Sequence, residues 1–527
     1  MKKQIIITLI LLLATGYATF VYFKNLNTPG MRTSQVMELI PENASFIFEF
    51  NNDKGFYDIF KDNKLFAPVI GQNQLDELNA VYLLLVKNPL TENFFASQNI
   101  FISVHPSKHS YADLLITLSC GTGFNPSVLE QLSKLAGSGL VVTPIRITGR
   151  QGYNIYINSL KKRFFILNNE NNIYSCSFSK DLIDQTLKSR SDREKINFTL
   201  LSEQQSANSL ASLYVNYQNI NELLTPILQN KNTDIFKSLL SFPATAAMSL
   251  NYRGDALMFN GKTVATKNMA GYLEIFAGQQ PVQNHLKDIF PSTTAYSASF
   301  GVSDISKFAS DLSIFNDKTV PGNERNRTFN KIKAETGINI KKEFNNLLDT
   351  EFAIVNTRFF EKFAIVSVKN GSKLKTILSS ISTMNDDKSG QFNYEKLPVY
   401  LLGEPFSVFK RPYFIIIDNY LILSNSINEL NSYADIYLNR KFLNKNDQYN
   451  QFDNLLAARS NVSFLLNLKN AQPILERNFN PDFYNYIGTK PGWSDFYAIS
   501  VQLTATDKSF YTNVCLKLNS DTTLKNK

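Results

Sequence analysis

His105 and His109 stand four residues apart in the segment HPSKH, a spacing that on a helix would turn two imidazoles toward one metal ion. Pro106 lies between them, and the segments on either side, residues 100–104 and 112–118, alternate like strands, so a hairpin loop is expected instead. A metal centre normally needs three or four ligands, and here only Asp113 is close in sequence. His105 and His109 therefore remain weak metal candidates in a polar loop. Ser159-x-x-Lys162 and Ser372-x-x-Lys375 have the spacing of a serine acyl-enzyme nucleophile, but their companion motifs are absent and Ser372 is expected to cap a helix. No G-x-S-x-G occurs, which leaves His285 as the histidine outside the 105–109 loop that a triad would need.

Nucleotide chemistry fares no better. In GDALMFNGKT (residues 254–263) six residues separate the first glycine from Gly261-Lys262, where a phosphate loop has four. Asn260-Gly261 between two apolar segments is the stronger signal, a two-residue hairpin turn. Cys120-Gly121-Thr122-Gly123 lacks the third glycine of a dinucleotide fingerprint. The three cysteines, Cys120, Cys176 and Cys515, are too far apart for a zinc spacing or a disulfide framework, and the first two fall on apolar strand faces. These readings predict no catalytic residue, no metal centre and no cofactor.

Basic residues offer one shared pattern. Lys161, Lys162 and Arg163 precede one aromatic strand start, and Lys410 and Arg411 precede another, a pair of clusters suited to anionic lipid head groups or simply to protecting strand edges. The net charge of +9 over 527 residues is spread without a basic stripe or tail, so no nucleic-acid partner is expected. With 43% apolar and 19% charged residues the chain supports continuous cores and is not a disordered protein.

The chain opens Met1-Lys2-Lys3-Gln4, and residues 5–23 form a largely apolar stretch without a charged residue. As a helix at 1.5 Å per residue they reach roughly 28 Å, enough to span a bilayer core. A single-pass signal-anchor in a bacterial inner membrane, with the body in the periplasm, is the expectation; cleavage near Ala18 to give a secreted or periplasmic protein is the alternative.

A repeat organises the remainder. FFILNNENNIYSCSFSKDLIDQTL (residues 164–187) matches YFIIIDNYLILSNSINELNSYA (413–434), each reading strand, turn, strand, helix. PENASFIFEF (41–50) matches PSTTAYSASF (291–300), IFISV (100–104) matches FAIVN (352–356), NIYIN (154–158) matches PVYLL (398–402), and LYVNYQN (213–219) matches FLLNLKN (464–470). Asn216 and Asn219 thereby align with Asn467 and Asn470, read as caps and Asx turns. All pairs lie roughly 250 residues apart in the same order. The expected fold is α+β: two homologous domains from an internal duplication, each a mainly antiparallel sheet backed by helices, after one N-terminal transmembrane or signal helix. The divisions are residues 1–26 (anchor or signal), 27–40 (linker), 41–288 and 289–520 (the repeats) and 521–527 (a polar tail).

The apolar anchor, the Pro-x-x-Ala/Thr-x-aromatic strand opening and the two diverged copies together resemble uncharacterised bacterial envelope proteins of the domain-of-unknown-function type. The resemblance covers most of the chain after Pro41 and implies a protein facing the periplasm, with no active-site residue to carry over. Duplicated, aromatic-rich domains without a catalytic group suit a non-enzymatic binding or scaffold module with a protein or envelope-component partner. A carrier or sensor of an apolar or lipid ligand, and a hydrolase without a recognisable motif, are the alternatives.

Overall fold

The computed structural model describes residues 35–53, 56–57, 65–96, 98–108, 110–121, 124–135, 137, 139–169, 172–187, 210–229, 237–266, 271–319, 324–488 and 492–519. The apolar segment 5–23 and His109 lie outside these. Among the described residues no helix is long and apolar enough to cross a membrane.

The fold is α+β, dominated by antiparallel strands. In chain order these are β1 (Phe46–Asn51), β2 (Asn99–His105), β3 (Asp113–Ser119), β4 (Leu140–Ile147), β5 (Arg150–Ile157), β6 (Lys162–Asn168), β7 (Ile173–Ser177), β8 (Ala211–Asn216), β9 (Ala244–Arg253) and β10 (Ala256–Ala265). There follow β11 (Val282–Gln283), β12 (Thr294–Gly301), β13 (Leu348–Thr357), β14 (Lys362–Val368), β15 (Ser382–Met384), β16 (Ser389–Phe392), β17 (Tyr413–Ile417), β18 (Tyr420–Ser424), β19 (Arg459–Ser460), β20 (Val462–Asn467), β21 (Phe496–Thr506) and β22 (Ser509–Leu518). All but β11 and β19, which pair with each other, join one sheet of 20 strands. Its order is β4-β5-β6-β7-β3-β2-β1-β8-β9-β10 and then β22-β21-β20-β12-β13-β14-β18-β17-β16-β15. Read from either edge to the centre, the two runs of ten have the same connectivity. They meet where β10 pairs with β22, Asn260 opposite Asn513.

The central strands bury one face on a common core and leave the other to smaller clusters. Phe46, Phe48 and Phe50 face the common core together with Phe300, Phe352 and Phe406, as their period-two spacing requires. The opposite face of the first run is covered by Val36, Met37, Leu39 and Ile40, packed on Ile47, Phe101 and Tyr214. In the second run Leu286, Ile289 and Phe290 cover Ala353, Val355 and Leu465. A proline turn then leads into the first strand of each run: Ala44 N–H donates to the Pro41 carbonyl (3.1 Å) and Thr294 N–H to that of Pro291 (2.9 Å).

Several local expectations change. Asn260-Gly261 is not a turn, because β10 runs straight through it and the hairpin is made by Gly254-Asp255. Glycine is needed at 261 for closeness: a Cβ there would stand 2.0 Å from the Ala247 carbonyl oxygen of β9. NIYIN lies in β5, but PVYLL forms the helix Leu397–Leu402 with Pro398 in its first turn, so that pair is not equivalent in structure; β16 takes the sheet position of β5. The helix Gly371–Ser379 is capped by Asn370, whose Oδ1 accepts from Lys373 N–H (2.8 Å), and Ser372 lies inside it. The two sheets expected of two domains are one continuous sheet.

Candidate functional site

A groove of about 890 Å³ opens beside the second run. One wall is the helix Ile305–Thr319, on which Ser306, Ala309, Ser310 and Ser313 recur every three or four residues and so share a face. The other wall is Lys341, Asn345 and Asn346 of the helix Ile340–Leu347, with Lys369 after β14. The first wall is held at both ends. Buried Gln279 grips the start of the first helix, its Oε1 accepting from Ser303 N–H (3.0 Å) and Asp304 N–H (2.8 Å). Arg325, also buried, donates to the Ser313 carbonyl (3.1 Å) and hydroxyl (3.0 Å) and to Asp317 (2.8 Å). Exposed Ser306, Ser310, Lys341 and Lys369 are left to meet a ligand. Hydroxyls, amides and two ammonium groups, with the single carboxylate of Asp304 at the start of the first helix, where it accepts from Lys307 N–H, make a surface for an acidic or hydroxyl-rich partner and offer no nucleophile paired with a base.

A second, much smaller site lies on the covered face of the second run. A cavity of about 30 Å³ is lined by Glu351, Ser297, Ser299, Ser463, Ser500 and Gln502, and by Lys287 and Asp453, which bridge each other at 2.6 Å. That volume is the share of one water molecule, and the buried Ser500 hydroxyl has no protein partner for a water to displace. Glu351 accepts from the N–H groups of His285 (3.0 Å to each oxygen) and Leu286 (3.5 Å), tying the covering segment to the sheet. Burial outweighs these bonds and pushes its carboxyl up to about 7. A carboxyl titrating near neutrality suits a general base, but the space beside this one is only about 30 Å³, too little for a substrate of any size.

His105 is not in a loop. It is the last residue of β2, wholly buried, and its Cα partner is Asp113 on β3. Nδ1 donates to Asn43 Oδ1 (2.8 Å), whose amide donates to Gln185 Oε1 (3.2 Å), and Nε2 accepts from the Ser103 hydroxyl (2.8 Å). Burial pushes the imidazole down to about 3, so at neutral pH it is an uncharged structural ring. Among the described residues no group of three metal-ligating side chains occurs.

The basic clusters are not brought together. β6 and β17, which they introduce, are each third from opposite edges of the sheet. Lys161 occupies a left-handed turn position, Lys162 pairs with Glu77, Arg163 is exposed, Lys410 lends its carbonyl to Lys396 N–H, and Arg411 Nε donates to the Phe392 carbonyl (3.3 Å). The three cysteines are buried free thiols, Cys176 and Cys515 pushed up to about 12 and Cys120 higher by burial. The groove and Glu351 escape sequence reading because each is assembled from segments whose approach only the fold decides. No family model, curated protein or solved structure matches the chain.

Proposed function

We propose that the chain is a non-enzymatic, membrane-anchored envelope protein that acts as a binding module. In this reading residues 5–23 hold it in a bacterial inner membrane, and the periplasmic body captures an acidic or hydroxyl-rich partner in the groove between the helices Ile305–Thr319 and Ile340–Leu347. The observation that carries it is the groove itself: about 890 Å³, open, lined mainly by serines, asparagines and two lysines against one carboxylate, Asp304, with its first helix braced by Gln279 and Arg325. Polar lining favours this over an apolar-ligand carrier, and the one-water size of the Glu351 cavity weighs against hydrolysis there.

The body is two diverged repeats, residues 41–288 and 289–520, in keeping with the likeness to uncharacterised bacterial envelope proteins. The shared strand connectivity supports this, as do bonds repeated in both runs. Asn219 Nδ2 donates to the carbonyls of Glu42 (2.6 Å) and Ala44 (3.0 Å); Asn470 Nδ2 donates to those of Ser292 (3.0 Å) and Thr294 (2.9 Å). Asn216 and Asn467 cap the helices that follow β8 and β20.

A photo-crosslinking residue at Ser310 in the full chain tests the reading in cells. A discrete adduct of acidic or hydroxyl-rich composition is expected, and Lys341→Glu with Lys369→Glu should abolish it. The same adduct from that double variant, or turnover of a substrate by the purified protein, refutes the proposal.

A further inference from the structure

The hairpin between β13 and β14 places two phenylalanines in solvent. Phe359 is 60% exposed and Phe360 41%, at a turn where glycine or asparagine would be easier to accommodate, since Phe360 has φ 68°. The turn is braced nonetheless. Thr357 Oγ1 donates to Glu361 Oε2 (2.7 Å) and accepts from Phe359 N–H (3.3 Å), while Phe360 N–H donates to the Thr357 carbonyl (3.0 Å). A bulky residue held in the left-handed region at an exposed tip is locally unfavourable, and such strain gathers at functional positions.

Cations surround the rings. The guanidinium of Arg358 lies 4.8 Å from the centre of Phe359, and that of Arg477 5.0 Å from Phe360. Arg358 N–H donates to the Thr293 carbonyl, and the neighbouring Ser292 N–H donates to that of Lys441 (both 2.9 Å). This brings the loop with exposed Arg440 and Lys441, and Leu438 at 79% exposure, alongside the tip. Of the carboxylates nearby, Glu361 accepts from Thr357 and Ser432 and Asp435 from Asn439 and Lys441, while exposed Glu476 adjoins Arg477 in the chain.

We infer that the Phe359–Phe360 tip is a second membrane contact, its rings entering the head-group boundary of an anionic bilayer while Arg358, Arg477 and Arg440 meet lipid phosphates. Aromatic rings beside arginines fit that boundary, where one side is apolar and the other charged. The inference rests on the anchoring by residues 5–23, which holds the body beside the bilayer at high effective concentration, so that a small contact is enough.

The test uses the full chain in vesicles of phosphatidylethanolamine and phosphatidylglycerol carrying a nitroxide lipid. Phe359→Cys receives a fluorescent maleimide; the native thiols are buried with raised pKa values and stay unlabelled. Ile314→Cys, at a residue 53% exposed on another element, is the control. The probe at position 359 should be quenched severalfold more than the control, and Arg358→Glu with Arg477→Glu should remove the difference. Equal quenching of both probes in protein that floats with the vesicles overturns the tip contact and leaves the anchor standing. Protein that does not float overturns the anchor, and the tip contact with it.

Discussion

The two runs of the sheet bury a carboxylate at neighbouring positions and satisfy it differently. In the first run Glu49 sits on β1, next to Phe50, and takes its bonds from side chains: Asn99 Nδ2 at 2.7 Å and Tyr214 OH at 2.6 Å. In the second run Ser299 holds the place of Glu49, and Glu351 on β13 holds that of Asn99, opposite the residue beside Phe300. Its carboxylate turns instead to the main chain of the covering segment at His285 and Leu286. The first run's titratable ring, His105, is likewise bonded to the turn that enters β1, through Asn43. Each covering region is thus tied to its sheet by one ionisable group, an imidazole that resists gaining a proton in one and a carboxyl that resists losing one in the other. The two runs should respond to pH in opposite directions.

The largest effect is expected at His105. Its folded pKa of about 3 lies below the ordinary 6.5, so the unfolded chain binds the extra proton first; the stability is present above pH 6.5 and is lost as pH falls toward 3. The 3.5-unit difference corresponds to an upper bound of about 5 kcal/mol. In urea titrations across this window, the wild-type stability relative to His105→Gln should decline steadily with acid. A constant difference would show that the ring is not held neutral.

Glu351 should act the other way. Its folded pKa of about 7 exceeds 4.5, so the folded chain keeps a proton that the unfolded chain has lost, and stability falls as pH rises from 4.5 through 7. That spread of 2.5 units is worth about 3 kcal/mol. Glu351→Gln should flatten this decline, gaining on the wild type between pH 5 and 8. Parallel curves for the two proteins would mean that the carboxyl is already ionised at acid pH and that the covering segments are not opposed.

The junction of the two runs comes next. Gly261→Ala places a methyl against the backbone of β9, at 2.0 Å from a carbonyl oxygen, and β9 is locked on its other side by β8. A loss of about 2 kcal/mol is expected from the strand displacement. Val514, one place past Asn513 as Gly261 is past Asn260, should accept Ala with only the smaller cost of lost methyl groups, about 1–2 kcal/mol. Thermal unfolding of both variants checks the contrast, and equal shifts would place the closeness at β9 elsewhere.

What could be read in the sequence was local. Strand, strand and helix follow one another within residues 164–187 and 413–434, Ser426 caps the second of these helices while Ser179 makes no cap bond to the first, and Asp418 takes the left-handed turn position its residue type suits. Asn216 and Asn467 are the expected caps. Misreadings arose where a neighbour distant in sequence decides. Gly261 looks like a turn until β9 lies against it; PVYLL is apolar on all sides because it is buried, and such a run has the same appearance as helix or strand. Pro106 points to a loop at His105, yet β2 continues to the residue before the proline. Neither β10 against β22, nor the lysines of the groove, nor the segment covering Glu351 has a local signature.

The smallest effect offers the strictest comparison. Asn219 and Asn470 each bind two carbonyls of the turn that enters the first strand of their run, with four donor–acceptor distances between 2.6 and 3.0 Å. Alanine at either site leaves those carbonyls to whatever water reaches them, at a cost of about 1–2 kcal/mol. The two asparagines stand in different runs with no shared partner, so their effects should add in the double variant. Asn219→Ala alone should also loosen the turn before β1 and expose the amides of residues 44–45 to hydrogen exchange, leaving residues 292–294 protected; Asn470→Ala should do the reverse. A loss at one site that appears as exchange in both turns would show that the continuous sheet couples the runs more strongly than its matching halves suggest.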